Sequence, residues 1–137
     1  MSDRTFEIQS HPAPRTAEER AALMANPGFG KVFTDHMVVA RYTAGRGWHD
    51  ARIQAREAIP LDPAAAVLHY AQEIFEGLKA YRTADGGSWS FRPEVNAARA
   101  VRSSHRLALA ELPVEDFVQA VDALLDIDQR WVPTNAD

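Results

Sequence analysis

The stretch that decides how this chain is read is VLHYAQEIFEGLKAYR, residues Val67–Arg82. It places a tyrosine, a phenylalanine, a glutamate-glycine pair and a lysine in one compact run. As polymer physics the run reads as a turn feeding a strand. Just downstream, Asp85-Gly86-Gly87 joins EGLKAYR to SWSFR. Asp-Gly suits the positive-φ positions of a tight hairpin turn, so a hairpin is predicted over 76–92. Tyr70 and Phe75 stand five apart across two breaks in period and need not share a face. They are either core aromatics or the wall of a pocket, and the polar intervening AQEI weighs towards the wall.

Upstream, GKVFTDHMVVARYTAGRGWHDARIQAREAIPL is rich in β-branched and aromatic residues, and Gly45-Arg46-Gly47 supplies a turn. This predicts two antiparallel strands near 32–43 and 47–58. Before them, residues 1–15 are polar with two prolines and read as an extended arm. Thr16 and Glu19 have the spacing of a capping box for a short helix, stopped by Asn26-Pro27-Gly28. Beyond the hairpin, Pro93 suits the first turn of a helix running to about Leu109. A second helix starts at Pro113, with Glu115 and Asp116 against the positive end of its dipole. Phe117, Val121, Leu124 and Leu125 recur on it at helical spacing as a face to be buried, and it runs out near Trp131-Val132-Pro133. The order predicts an α+β fold, a mostly antiparallel sheet with two helices packed on one face.

Composition limits the chemistry. The chain has 137 residues, 46% of them hydrophobic and 25% charged, as in ordinary globular proteins. Its formal net charge is −4 and its 15 Lys+Arg form no basic block, which argues against a nucleic-acid partner. No cysteine is present, so disulfides, thiolate metal sites and thiol nucleophiles are excluded. No apolar run of membrane length occurs, and a cytoplasmic protein without membrane contact is the expectation. The five histidines, at 11, 36, 49, 69 and 105, never adopt metal-ligand spacing, and no metal is expected. In Thr34-Asp35-His36, a strand would send adjacent side chains to opposite faces. Arg99, Arg102 and Arg106 share one face of the Pro93 helix. They are either a solvated basic stripe or a stripe from which one arginine enters a pocket and grips an anion through two bonds. Spacing does not select among them. His105 beside them faces solvent or pairs with a carboxylate.

Four segments, GKVFTDHMV (30–38), LDPAAAVLHYAQEIFEGLKAYR (61–82), FRPEVNAARAVRS (91–103) and ELPVEDFVQAV (111–121), resemble the branched-chain amino-acid aminotransferases, pyridoxal-phosphate enzymes of fold type IV. The resemblance runs in order from Phe29 to Pro133. It implies that Arg99, the arginine of Asn96-x-x-Arg99-x-x-x-Ser103, binds the phosphate of pyridoxal 5′-phosphate. It implies that Phe29, Tyr70 and Phe75 wall an apolar substrate pocket for Leu, Ile or Val, whose amino group passes to 2-oxoglutarate. A homodimer is implied for the full-length form. The Schiff-base lysine of such enzymes belongs to a larger C-terminal domain. The only lysines here, Lys31 and Lys79, lie in small-domain motifs, so no catalytic residue is assigned. On this reading residues 1–28 are an arm and short helix, 29–133 the small domain, and 134–137 the start of an interdomain linker, with the large catalytic domain absent. Ala100 departs from the larger apolar residue common in relatives and is expected to loosen helix packing. Two roles follow: part of a transaminase, inactive by itself, with weak or no cofactor binding; or a non-catalytic binding module derived from that domain. A non-functional remnant is the third. Either way the chain by itself is expected to expose an apolar surface.

Overall fold

The structure, a computed structural model, describes residues 6–133. Residues 1–5 of the arm and the linker start at 134–137 lie outside the described residues. The fold is α+β, with four α-helices and two small sheets among the described residues. The first sheet holds β1 (Glu7–Ile8), β3 (Gly47–Ala55) and β2 (His36–Thr43), in that order. β2 and β3 are antiparallel, as their alternation predicts, with His36 opposite Ala55 and Thr43 opposite Gly47 across the turn. A register shift falls between Val39 and Arg41.

β1 is a correction to the plain extended arm. Glu7 and Ile8 pair parallel with Arg52 and Ile53, and the Gln9 amide donates to the Ile53 carbonyl at 2.8 Å. Two residues have too little periodicity to announce a strand; the open edge of β3 recruits them. The same pairing makes β3 central, and Ile53 is the most buried large apolar side chain, 1% exposed. The strands are also shorter than predicted, because residues 32–35 and 56–58 leave the ladder.

The short helix α1 (Ala17–Met24) begins as its capping box predicts. The Thr16 amide donates to Glu19 Oε2 at 2.7 Å and the Glu19 amide to Thr16 Oγ1 at 3.2 Å. The decisive stretch departs from its reading. Its start is a helix, α2 (Ala66–Tyr70), stopped by Ala71 in the left-handed region at φ 49°. Residues 71–79 then run without regular structure into β4 (Ala80–Arg82). Val67, Leu68 and Tyr70 are compatible with either state in so short a run, and only the αL stop separates helix from turn. β4 pairs antiparallel with β5 (Ser88–Ser90) around Gly86, whose φ of 88° meets the turn's demand.

α3 (Pro93–Arg106) starts at its proline and ends three residues early, since Ala108 turns back at φ 53°. α4 (Val114–Ile127) follows Pro113 and leads into a 3₁₀ turn, Gln129–Trp131. α3 packs on α4, and α4 packs on β2. Phe117, Val121, Leu124 and Leu125 are half-buried. A cavity of about 630 Å³ opens between part of α4 and the sheet, walled by Met37, Val38, Trp48, Phe117, Val121 and Leu124.

The 3₁₀ turn is the keystone of the chain's polar bonding. His36 Nδ1 lies 2.8 Å from Asp128 Oδ1, and the His36 amide donates to Asp128 Oδ2 at 2.9 Å. The His11 amide donates to His36 Nε2 at 3.2 Å, which leaves the ring proton on Nδ1. Asp35 accepts from the Trp131 indole at 3.0 Å and from Arg15 Nη1 at 3.1 Å. Both Asp35 and His36 are buried and reach the same turn, contrary to the expected divergence. Asp35 sits one residue before β2, so strand alternation does not govern it. Arg82 Nη2 to the Gln129 carbonyl, 2.7 Å, and Gln129 Nε2 to the Gly86 carbonyl, 2.9 Å, fasten the second sheet to this turn.

Candidate functional site

A carboxylate that is mostly buried demands a cation or several N–H donors. Glu76 answers that demand at α3. Its side chain is 10% exposed, and Arg99 meets it with two bonds: Nε to Oε1 at 2.5 Å and Nη2 to Oε2 at 2.7 Å. Asn96, one turn earlier on α3, donates Nδ2 to the Gly77 carbonyl at 2.8 Å and to Glu76 Oε2 at 3.2 Å. The Arg99 hydrogen bonds are the largest influence on Glu76 and, with Asn96, outweigh burial to hold its carboxyl below the ordinary range. Glu76 in turn raises the pKa of Arg99, so the pair stays charged.

This arrangement separates Arg99 from its neighbours. Arg99, Arg102 and Arg106 all lie exposed on α3, and among the described residues Arg99 alone of the three forms an ion pair. A guanidinium has five N–H donors, of which Glu76 takes Nε–H and one on Nη2. The outer edge keeps the two on Nη1 and one on Nη2, the fork that suits a phosphate. Arg99 remains 55% exposed, so an anion can reach it. The donor set fits one phosphate group. His105, as foreseen, pairs with a carboxylate, Glu111, at 2.8 Å.

Glu76 and Asn96 draw the irregular segment 71–79 along α3, and Gln72 Nε2 adds a bond to the Leu107 carbonyl at 3.1 Å. Tyr70, just before that segment, and Phe75, within it, are 83% and 86% exposed; Phe29, in the loop after α1, is 98% exposed. Among the described residues no hydrogen bond, ion pair or ring contact joins Phe29 to Tyr70, Phe75 or Arg99. Arg99 binds Glu76, the residue after Phe75, whereas no such bond links Phe29 to α3 among the described residues. Lys31 and Lys79 are both exposed. No group of three or more metal-ligating side chains occurs among the described residues, and no described helix is long and apolar enough to cross a membrane. Sequence reasoning missed Glu76 as the partner of Arg99. The available signal was a glutamate between Phe75 and Gly77 in an otherwise apolar IFEGL run.

No protein-family model matches the chain. Curated relatives do. A probable branched-chain-amino-acid aminotransferase of Streptomyces coelicolor is 54% identical over 135 residues, 98% of this chain and 37% of that protein. The branched-chain-amino-acid aminotransferase of Mycolicibacterium smegmatis is 53% identical over 128 residues, 93% of this chain and 35% of that protein. A branched-chain-amino-acid transaminase of Bacillus subtilis is 45% identical over 106 residues, 77% of this chain and 30% of that protein. These relatives are amino-group transferases. Over 77–98% of its length the chain is similar to the N-terminal part of proteins named branched-chain-amino-acid aminotransferases. It spans about a third of the length of the curated relatives it matches.

Proposed function

We propose that this chain forms the phosphate-gripping and pocket-walling part of a branched-chain-amino-acid aminotransferase. The observation that carries the reading is the two-bonded Glu76–Arg99 pair, which leaves an exposed guanidinium edge beside the aromatic segment. Arg99 holds the phosphate of pyridoxal 5′-phosphate, and that cofactor, when bound, supplies the electron sink for amino transfer. Phe29, Tyr70 and Phe75 wall the substrate pocket and exclude water. Their apolar faces select Leu, Ile or Val by burial, with 2-oxoglutarate as the amino acceptor. The working form is a cytoplasmic homodimer. Lys31 and Lys79 have no role in the chemistry, so these 137 residues alone do not transaminate; the lysine that tethers the cofactor and moves its proton comes from outside them.

Pyridoxine 5′-phosphate tests the grip, because it has no aldehyde to condense with Lys31 or Lys79. Equilibrium dialysis should show binding at about millimolar affinity or weaker, tighter than for pyridoxine, with the preference lost in Arg99→Ala. Equal affinity for both compounds refutes the phosphate role. Turnover of leucine with 2-oxoglutarate by the 137 residues alone refutes the assignment of the missing lysine.

A further inference from the structure

We infer that Glu76 is a positioning residue: its buried carboxylate clamps the inner edge of the Arg99 guanidinium so that the outer edge is presented, already oriented, to a phosphate. The inference rests on the proposed role of Arg99 and extends it to a residue that makes no contact with the anion.

The geometry distinguishes a clamp from a competitor. Glu76 engages Nε and Nη2, the side edge of the guanidinium. A phosphate approaching the end edge, Nη1 and Nη2, need not displace it. Nor is Glu76 free to leave. Its side chain is 10% exposed, and its Oε2 also accepts from Asn96 Nδ2 at 3.2 Å. Swinging out would give up the Asn96 bond, and Asn96 Nδ2 also holds the adjacent Gly77 carbonyl at 2.8 Å, which fixes the backbone that carries Glu76. Arg99 by contrast is 55% exposed, and without the clamp its long side chain would sample many rotamers. The clamp has an electrostatic cost, since a carboxylate beside the arginine lowers its attraction for an anion. Exposure to solvent screens that repulsion, whereas the orienting contact is direct. The two effects make opposite predictions for one substitution.

Glu76→Gln removes the negative charge and keeps the shape. If charge dominates, the variant binds inorganic phosphate more tightly. If the clamp dominates, it binds more weakly, because the Gln amide group turns an N–H towards an arginine N–H and frees the guanidinium. The expectation is a loss of about two- to tenfold, the range for immobilising one flexible side chain on binding. Phosphate titrations followed by NMR read the affinity. The Arg99 Nε–H resonance, observed without phosphate, reads the clamp itself; it should be protected from solvent exchange in the parent chain and lost or broadened in Glu76→Gln. Unchanged backbone spectra outside residues 71–79 and α3 establish that the variant folds. Should it not fold, Asn96→Ala gives the second reading, with a smaller loss of phosphate affinity and weaker Nε–H protection. Weaker phosphate binding together with loss of the Nε–H signal supports the inference. Equal or tighter binding by Glu76→Gln overturns it. If the parent chain binds no phosphate, the proposed role of Arg99 fails, and the Nε–H signal decides alone: its loss in Glu76→Gln upholds the clamp, its persistence overturns it.

Discussion

Truncating Asp128 to alanine tests whether the 3₁₀ turn holds the sheet to α4. Asp128 is 3% exposed and accepts both the His36 amide at 2.9 Å and His36 Nδ1 at 2.8 Å, across 92 residues of sequence. His36 is itself buried, 7% exposed, so water does not readily replace the carboxylate. Asp128→Ala strands two donors, and each buried unsatisfied donor costs about 1–3 kcal/mol. One escape is to move the ring proton to Nε2, but the His11 amide already donates there at 3.2 Å, so that contact is lost in exchange. The expected loss is about 3 kcal/mol, a large share of the roughly 5–15 kcal/mol typical of a domain. Asp128→Asn keeps one acceptor for the His36 amide and should lose about half as much. Urea unfolding followed by circular dichroism measures both, with Asp126→Ala on the exposed side of α4 as a control expected within about 0.5 kcal/mol of the parent. A loss below about 0.5 kcal/mol for Asp128→Ala, equal to the control, would refute the keystone role.

Two further outcomes can be checked on the same preparations. Burial raises the Asp35 carboxyl, but the Trp131 indole, the Arg15 amide and the charges of Arg15 and Arg130 outweigh it and hold its pKa below the ordinary value. Its contribution is therefore present in full above the unfolded pKa near ~4 and is lost as pH falls through the lower folded value. Asp35→Asn should flatten the acid limb of stability below about pH 4, and an unchanged limb in urea midpoints against pH would exclude Asp35 as its source. Ala100, 7% exposed, borders a cavity of about 470 Å³ lined also by Trp48, Ile74, Ser104 and Phe117. Ala100→Leu should fill part of it and raise stability by about 1 kcal/mol in thermal unfolding; a loss of that size would mean the space is not available to a side chain at this position.

The local devices were legible because each is a short-range interaction. Thr16 with Glu19, Pro93 at a helix start, Asp85-Gly86 in a hairpin and the alternation of β2 and β3 depend on residues a few positions apart, and the structure repeats them. The four motifs and their order carried the family, which the relatives bear out. Tertiary structure alone decided the rest, because the deciding partners are far apart in sequence. Glu7 and Ile8 become a strand only because β3 offers an open edge about forty-five residues away. α2 ends where it does because Ala71 takes a left-handed conformation that alanine itself does not favour. The apolar residues of α4 stay half-buried because open space remains between this helix and the sheet, which no local pattern announces. The basic stripe on α3 is uniform in sequence. Arg99 stands apart only when the chain folds Glu76, 23 positions earlier, into a buried site where its charge must be met.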